Sequence, residues 1–237
     1  MICLIKEKRT MKKFVVIGLG NFGMNISRVL MENNCEVLGI DTEKNTVQKA
    51  RDITTHAVLG DAADRSVLES LSIADYDGAV VSIGQEMGPS ILIALYLKEI
   101  GVGRIIVRAI SEDHEKILQM LGVTDIIFPE RDTAIKIGMT LSMKNALDYL
   151  PLTKEYSILD VTPPKHFIGR TLKDLQISSR YRCQVIGIKY NASPEYSQKQ
   201  GETVTNIAPA ADDIIPAHSV MIVLGKITDI RKLEQEA

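Results

Sequence analysis

The stretch that decides the fold runs Phe14-Val-Val-Ile-Gly-Leu-Gly-Asn-Phe-Gly23. Its apolar first part predicts a strand, and a helical pattern from Phe22 to Met31 follows the glycines. A Gly-x-Gly-x-x-Gly motif between a strand and a helix is typical of a Rossmann unit that binds a dinucleotide. In that setting Gly18 permits the tight turn, Gly20 lets the backbone approach a phosphate, and Gly23 lets helix and strand pack closely.

Asp41 follows the second apolar run, Glu36 to Ile40, at the distance this motif requires. Its carboxylate can accept hydrogen bonds from both ribose hydroxyls, which favours a nucleotide without a 2′-phosphate. Thr42 is predicted to cap the next helix. The phosphates are expected at the amino end of the first helix, where free N–H groups favour anions. The other reading of the glycines, that they serve only a turn, stays open.

Short apolar runs alternate with helical patterns along the first half of the chain. Strands are predicted at 14–17, 36–40, 57–59, 78–82, 104–108 and 125–128, and helices at 22–31, 42–51, 65–71, 89–100 and 113–121. Pro89 suits the first position of its helix. This alternation indicates an α/β fold, a Rossmann doubly wound parallel sheet covered on both faces.

Ligands of such sheets bind at the carboxyl ends of the strands. The candidate residues there are Gly18, Leu19, Gly20, Asn21, Phe22, Gly23, Asp41, Thr42, Asp61, Ala62, Ser82, Ile83, Gly84, Arg108 and Glu130. Asp61 could meet the adenine or serve as a helix cap or turn residue. Arg108 could face phosphate or form a surface ion pair. Glu130 could hold a metal, reach a neighbouring subunit's ligand, or favour the dipole of its own helix.

The second half predicts a small α+β domain. A helix from Arg131 to about Leu147 either packs on its own sheet or is exchanged across a dimer. Strands at 157–161, 185–190 and 220–225 follow, with helices at 171–175 and 227–236 and a polar stretch over 191–203. The predicted division is an extension at 1–10, a Rossmann domain at 11–130, a crossover helix and linker at 131–155, and a C-terminal domain at 156–237.

Composition excludes several classes of protein. Among 237 residues the net charge is −2, whereas nucleic-acid binders normally carry a basic surplus. No apolar stretch is long enough to cross a bilayer, and the first ten residues do not resemble a signal peptide. Three distant cysteines indicate reduced thiols in a cytoplasmic protein, and the four histidines form no ligand-spaced pair.

Sequence motifs favour nucleotide binding without chemistry. No tyrosine begins a Tyr-x-x-x-Lys, the signature of short-chain dehydrogenases, and no phosphate-binding loop with Gly-Lys-Ser/Thr is present. The isolated histidines are more typical of structural than of catalytic residues. A small NAD-dependent oxidoreductase and a nucleotide-binding regulator of another cation transporter remain the alternatives.

Several motifs together resemble the regulator-of-potassium-conductance (RCK) subunits of Ktr and Trk potassium-uptake systems, from residue 11 to the end. They are 16–23, Leu-Gly-Ile-Asp at 38–41, Leu-Gly-Asp-Ala at 59–62, Ile-Val-Arg-Ala at 106–109 and 121–132, and in the second half 167–175, 183–188, 222–225 and 230–234. The resemblance implies a regulatory subunit, peripheral at the cytoplasmic face of the membrane, whose homodimers form an octameric ring under a potassium-translocating membrane protein.

By the same resemblance an adenine nucleotide (ATP, ADP, AMP, NAD or NADH) sets the shape of the ring. The glycines would hold phosphates, Asp41 the ribose, and Asp61 with Ala62 the adenine side. Arg108 would face phosphate, and Glu130 would act at the dimer interface, through a divalent or sodium ion. In some relatives the second domain binds cyclic di-AMP, for which Arg170, His166 and the 191–203 loop are candidates.

One residue departs from the resemblance. ATP-responsive Ktr members have an arginine directly after the second glycine, whereas this chain has Asn21. An amide cannot make the charge-assisted contact with a γ-phosphate that an arginine makes. Strong discrimination of ATP over ADP is therefore not expected, which strengthens the case for NAD(H), ADP or AMP as the ligand.

Overall fold

A computed structural model describes residues 11–84, 86–143, 146–191 and 203–235. The chain divides into two compact units, which meet between Pro129 and Glu130 in the sequence. The strands of the first unit are β1 (Lys13–Ile17), β2 (Glu36–Asp41), β3 (His56–Leu59), β4 (Gly78–Val81), β5 (Arg104–Arg108) and β6 (Asp125–Ile127). Its helices are α1 (Asn21–Glu32), α2 (Lys44–Ala50), α3 (Arg65–Ser70), α4 (Met87–Ile100) and α5 (Glu112–Leu121).

The first unit is a doubly wound parallel sheet, as the sequence predicts. Its six strands lie in the order β3-β2-β1-β4-β5-β6, and every neighbouring pair is parallel. The chain therefore reverses its direction of winding between β1 and β4. Side chains that follow β1, β2, β3, β4 and β5 all emerge at one edge of the sheet, beside this switch point.

Both faces of the sheet are buried, and its strands are correspondingly apolar. Residues of β1 point alternately to two clusters, with Val15 and Ile17 in one and Val16 in the other. Leu38 and Ile40 of β2 join the first of these clusters. A strand covered on both faces reads as a continuous apolar run, which is why the sequence pattern identified these strands.

The second unit is built on an antiparallel sheet. Its strands are β7 (Ala146–Pro151), β8 (Tyr156–Val161), β9 (Gln184–Asn191), β10 (Thr203–Ile207) and β11 (Val220–Lys226), in the order β10-β9-β11-β8-β7. Its helices are α6 (Pro129–Ser142), α7 (Leu172–Leu175), α8 (Ile177–Tyr181) and α9 (Ile227–Gln235). Its core joins Leu159, Phe167, Leu175, Val223 and Leu233, each fully buried.

The predicted helix to Leu147 is wrong in its last part. Helix α6 ends at Ser142, and the chain continues as strand β7, in which Ala146 and Tyr149 are buried. Strand β7 pairs with β8, so the segment expected to be helix and linker supplies an edge strand of the second sheet. Strand β8 begins at Tyr156, shortly after β7 ends at Pro151, so the two strands form a hairpin. The predicted helix was extended into this hairpin from the helical pattern that precedes it.

Other boundaries also differ from the prediction. Thr42 does not cap α2. The helix begins at Lys44, and its N-cap residue is Glu43, whose side chain makes no capping hydrogen bond. Pro89 is the third residue of α4 and not the first. A proline costs no hydrogen bond there, because the first N–H groups of a helix have no partner within it. Strand β10 and helix α8 were not predicted, and most of the polar stretch over 191–203 lies outside the described residues.

Within the described part of the chain no helix is long and apolar enough to span a membrane.

Candidate functional site

The glycine loop after β1 is held in one conformation by its neighbours. Gly18 has a φ of +86°, which L side chains rarely adopt, and its N–H donates to the carbonyl of Ile40 at 2.9 Å. A Cβ on Gly18 would lie 2.7 Å from Cγ2 of Ile83. The turn out of β1 therefore requires glycine for both its conformation and its space.

Gly20 and Gly23 have opposite surroundings. A Cβ on Gly20 would meet nothing within 4 Å, so the backbone there borders open space that a ligand can enter. A Cβ on Gly23 would collide with the carbonyl oxygen of Gly18 and lie 2.7 Å from Oγ of Ser82. The third glycine therefore packs helix against strand, and the second leaves room for a ligand, as the motif predicts.

Helix α1 begins at this loop with its amino end uncapped. Gly20 is the N-cap and offers no side chain, and the first turn carries no acidic residue. The N–H groups of Asn21, Phe22 and Gly23 have no partner within the helix, because they belong to its first turn. Together with the helix dipole they form a site suited to phosphate.

Asp41 braces the glycine loop as well as facing the cavity. Its Oδ2 accepts the N–H of Leu19 at 2.6 Å, and its Oδ1 accepts the N–H of Glu43 at 2.8 Å. A carboxylate has about four lone-pair positions, so it can still accept bonds from two ribose hydroxyls. The carbonyl of Asp41 also accepts the N–H of Gly60 at 3.0 Å, which ties β2 to the end of β3.

Ser82 lies directly beneath the loop. Its backbone N–H donates to the carbonyl of Ile17 at 2.8 Å, and its hydroxyl donates to the carbonyl of Gly18. The side chain is almost fully buried. Although Ser82 borders the cavity, its hydroxyl is directed to the loop, so its contribution is to hold the loop against β4.

Asp61 forms the turn between β3 and α3. Its Oδ1 accepts the N–H of Ala63 at 2.9 Å, and its carbonyl accepts the N–H of Asp64 at 3.1 Å. The residue that caps α3 is Asp64, whose carboxylate accepts both the N–H and the hydroxyl of Ser66, and these bonds lower the pKa of Asp64. Asp61 is thus a turn residue that also lines the cavity, and Ala62 beside it is buried.

Arg108, the last residue of β5, lies across from Gly84 beyond the end of β4. A Cβ on Gly84 would come within 2.7 Å of the guanidinium Cζ and 3.1 Å of Nη2, and closer still to Nη1. The guanidinium therefore rests against the Gly84 backbone. Ile83, between Ser82 and Gly84, packs against the core of the unit.

These residues surround one cavity of about 750 Å³ at the carboxyl edge of the sheet. Its lining includes Gly18, Gly20, Asp41, Thr42, Asp61, Ala62, Ser82, Ile83, Gly84 and Arg108, with Glu43, Gly60, Glu86 and Pro89. Among the lining residues that the structure describes, four are acidic and Arg108 alone is basic. A volume of this size suits a small-molecule ligand.

Five predicted residues do not line the cavity. Leu19 is buried in the core, Gly23 is packed beneath the loop, and Asn21 and Phe22 begin α1, with Asn21 exposed. Glu130 is exposed in the first turn of α6, at the beginning of the second unit. In the described residues no three His, Cys, Asp or Glu side chains form a group that could hold a metal, and a cation at Glu130 stays a prediction.

Two acidic lining residues, Glu43 and Glu86, were missing from the residues predicted for the site. Glu43 is two residues beyond Asp41, and Glu86 precedes the first residue of α4. Both positions follow strand ends at the carboxyl edge of the sheet, so the strand pattern could have identified them.

The second unit has a cavity of its own, of about 410 Å³. Leu172, Lys173, Gln176, Ile177 and Pro209 are among the residues that line it. The two residues expected at an effector site there, His166 and Arg170, are exposed and are not part of the lining. Nη2 of Arg170 donates to the carbonyl of Asp174 at 3.3 Å.

Comparison with known proteins agrees with this architecture. Residues 14–129 match the family model of the TrkA-N domain. The chain is 38% identical to Ktr system potassium uptake protein C of Bacillus subtilis over 94% of its own length and 96% of that protein. It is 33% identical to Ktr system potassium uptake protein A of the same organism, over 95% and 96% of the two chains.

Two solved structures share the fold at low sequence identity. One is the GsuK channel bound to NAD, with a TM-score of 0.64 and 15% identity over 96% of this chain. The other is the GsuK RCK domain, with a TM-score of 0.62 and 16% identity over 97% of this chain. The matched regions span 39% and 49% of those two longer chains.

Proposed function

The chain belongs to the family of Ktr system potassium uptake proteins, and from this premise we propose that it binds an adenine nucleotide and thereby gates a potassium-translocating membrane protein. In this proposal it is a cytoplasmic regulatory subunit without catalytic activity of its own, docked at the inner face of the membrane.

The cavity at the sheet edge is the observation that carries the proposal. Open space above Gly20, the uncapped end of α1 and the carboxylate of Asp41 lie around one volume. Free N–H groups at a helix end suit a phosphate, and a carboxylate suits ribose hydroxyls. Asp61 and Ala62 border the side expected for the adenine. That GsuK, which shares the fold, was solved with NAD is consistent with this ligand class.

The charges around the cavity favour a nucleotide with fewer phosphates than ATP. Asp41, Glu43, Asp61 and Glu86 line it, against Arg108 as the basic residue of the described lining. Asn21 supplies no cation at the end of α1. Each added phosphate group brings negative charge toward the acidic lining, and Arg108 is the basic residue there that can offset the repulsion. We therefore propose NAD(H), ADP or AMP as the stronger ligands.

Gating requires that the nucleotide bind one conformation better than another, because equal affinity for both shifts nothing. We propose a homodimer, assembling into an octameric ring, as the element with two conformations. Helix α6 supports the dimer: none of its residues is buried, and Ile135, Ile137 and Leu141 are exposed on it. A partner protomer would cover this helix, and Glu130 at its beginning would bind a cation there.

A second effector is proposed for the C-terminal unit. The cavity lined by Leu172, Lys173 and Gln176 is a candidate site for cyclic di-AMP. Lys173 supplies a positive charge for a phosphate, and Ile177 and Pro209 supply apolar surface for a base.

Nucleotide binding is tested by a thermal-shift series with AMP, ADP, ATP, NAD, NADH and cyclic di-AMP. We expect NAD(H), ADP or AMP to raise the melting temperature more than ATP does. The same series with Asp41→Ala should show a smaller rise. If no nucleotide stabilises the protein, the sensor proposal is wrong.

Gating is tested by potassium flux into vesicles that contain a Ktr-type membrane protein. Flux should depend on the added chain, and it should differ between two bound nucleotides. Flux that is unchanged by the chain would contradict the regulatory role. Steady oxidation of NADH by the chain alone would instead favour an enzyme.

A further inference from the structure

Gly84 lines the cavity, and because it has no side chain it leaves room for the guanidinium of Arg108. It follows β4, where a loop leads to α4, and its backbone does not have a positive φ. An alanine could therefore adopt the same backbone conformation. The obstacle to a side chain is the guanidinium of Arg108, whose Cζ would lie 2.7 Å from the added Cβ.

The guanidinium of Arg108 can therefore lie in this position only because Gly84 has no side chain. Both residues border the cavity on the β4–β5 side of the switch point, whereas Asp41 and Asp61 border it on the β2–β3 side. The glycine loop and the end of α1 lie between these two sides, because β1 lies between β2 and β4.

This order of strands predicts which side of the cavity each part of a nucleotide would occupy. A nucleoside whose ribose lay at Asp41 would have its first phosphate at the end of α1. A second phosphate, or the second half of a dinucleotide, would then extend past the glycine loop toward β4 and β5. Arg108 is the basic residue of the described lining in that direction, and Glu86, which precedes α4, lines the same cavity.

We propose that Gly84 is a positioning residue that lets Arg108 lie flat in the cavity wall and bind the second phosphate of the ligand. The inference rests on the proposed function, since it assumes that an adenine nucleotide occupies the cavity. A methyl group at position 84 forces the guanidinium out of this position. The nucleotide then keeps its contacts with Asp41 and α1 and loses the contact made by its second phosphate.

The experiment compares the affinities of AMP, ADP and NAD, measured by titration calorimetry, for the full chain and three variants: Arg108→Ala, Gly84→Ala and the double variant. A charge-assisted contact contributes about ten- to a hundredfold in affinity. We expect Arg108→Ala to weaken ADP and NAD by this factor and AMP by much less. Gly84→Ala should show the same selective loss, and the double variant should be no weaker than Arg108→Ala.

Gly103→Ala is the matched control. Gly103 precedes β5 in the same unit, does not line the cavity, and a Cβ on it would lie 3.8 Å from the nearest carbonyl oxygen. It should leave the three affinities unchanged. A merely structural role of Gly84 would weaken AMP as much as ADP, and additive losses in the double variant would show that Gly84 acts independently of Arg108. Either result overturns the inference.

Failure of the inference and failure of the proposed function give different results. If the unchanged chain binds none of the three nucleotides, the proposed function fails. If it binds them and Arg108→Ala weakens AMP and ADP equally, only the role of Arg108 and Gly84 fails. Should Gly84→Ala not fold, Arg108→Met still tests whether the guanidinium distinguishes ADP from AMP.

Discussion

The carboxylate of Asp41 holds the backbone N–H of Leu19 at 2.6 Å, and this bond links the end of β2 to the glycine loop after β1. The same carboxylate borders the cavity proposed for the nucleotide. The loop is thus held in one conformation by the group expected to accept the ribose hydroxyls. Pre-organisation of this kind reduces the entropy lost when a ligand binds.

Replacement of Asp41 should therefore affect stability and binding together. Asp41→Ala leaves the N–H groups of Leu19 and Glu43 without their carboxylate, and we expect the free energy of unfolding to fall by about 1.5–3 kcal/mol. The stabilisation by nucleotide should also shrink. Urea unfolding with and without NAD measures both effects. Asp64→Ala removes the cap of α3 outside the cavity, so it should lower the free energy of unfolding but leave the stabilisation by NAD unchanged. An equal loss of NAD stabilisation in the two variants would contradict the role of Asp41.

Two buried serines should behave differently. The hydroxyl of Ser82 donates to the carbonyl of Gly18, whereas that of Ser90 in α4 has no hydrogen-bond partner among the described residues. We expect Ser82→Ala to lower the free energy of unfolding by about 0.5–1.5 kcal/mol and to weaken nucleotide binding. Ser90→Ala should change stability by less than about 0.5 kcal/mol. Chemical unfolding and calorimetry compare them, and a Ser82→Ala variant that binds normally would show that the loop does not depend on this bond.

Gly23 should not tolerate a methyl group. Its Cβ would collide with the carbonyl of Gly18 and press on Oγ of Ser82, and overpacking of this kind costs about 1–3 kcal/mol. Gly103→Ala is the control, because a Cβ on Gly103 would lie 3.8 Å from the nearest carbonyl oxygen, an ordinary contact distance. This variant should change the free energy of unfolding by less than about 0.5 kcal/mol. Thermal unfolding of both variants tests this contrast, and a Gly23→Ala variant as stable as the unchanged chain would refute it.

Helix α6 should control the oligomeric state. Leu141 is 81% exposed and Ile137 is 53% exposed, and a charge at either position would be buried in the proposed dimer without a partner. We expect Leu141→Glu to shift the protein toward monomer in light scattering coupled to gel filtration. Val29→Glu, at a residue 55% exposed on α1, should leave the mass unchanged. The same mass for all three proteins would exclude α6 as the dimer contact.

The buried His114 predicts loss of stability in mild acid. Burial lowers the pKa of its imidazole, whose Nδ1 accepts the N–H of Ile110 at 3.4 Å. In the unfolded chain the imidazole of His114 titrates near its ordinary pKa of about 6.5. Just below this pH the unfolded state therefore binds a proton that the folded state does not bind. Stability should therefore fall from about pH 6.5 down to the folded pKa.

Melting temperatures between pH 8 and pH 5 measure this effect. The decline should be smaller in His114→Gln, whereas His56→Gln, at an exposed position of β3, should decline as the unchanged chain does. Parallel curves for all three proteins would show that His114 does not contribute.

Much of the first unit could be predicted from the sequence because its signals are local. The glycine motif, the apolar strands and Asp41 each follow from a few adjacent residues, and the structure confirms the doubly wound sheet they predict. The edge strands β7 and β10 could not be predicted in this way. Each pairs with the strand next to it in the sequence, β7 with β8 and β10 with β9, so each depends on that pairing more than on a pattern of its own, and β7 was mistaken for the end of a helix.

The sequence by itself determined that a glycine loop and an acidic residue lie at the carboxyl edge of a parallel sheet. Only the tertiary structure decided what each residue there does. It turned the hydroxyl of Ser82 toward Gly18, brought the Leu19 N–H to Asp41, and laid Arg108 against Gly84. The physical reason is that strands adjacent in the sheet are distant in the sequence, so contacts between their ends depend on packing that no local pattern encodes.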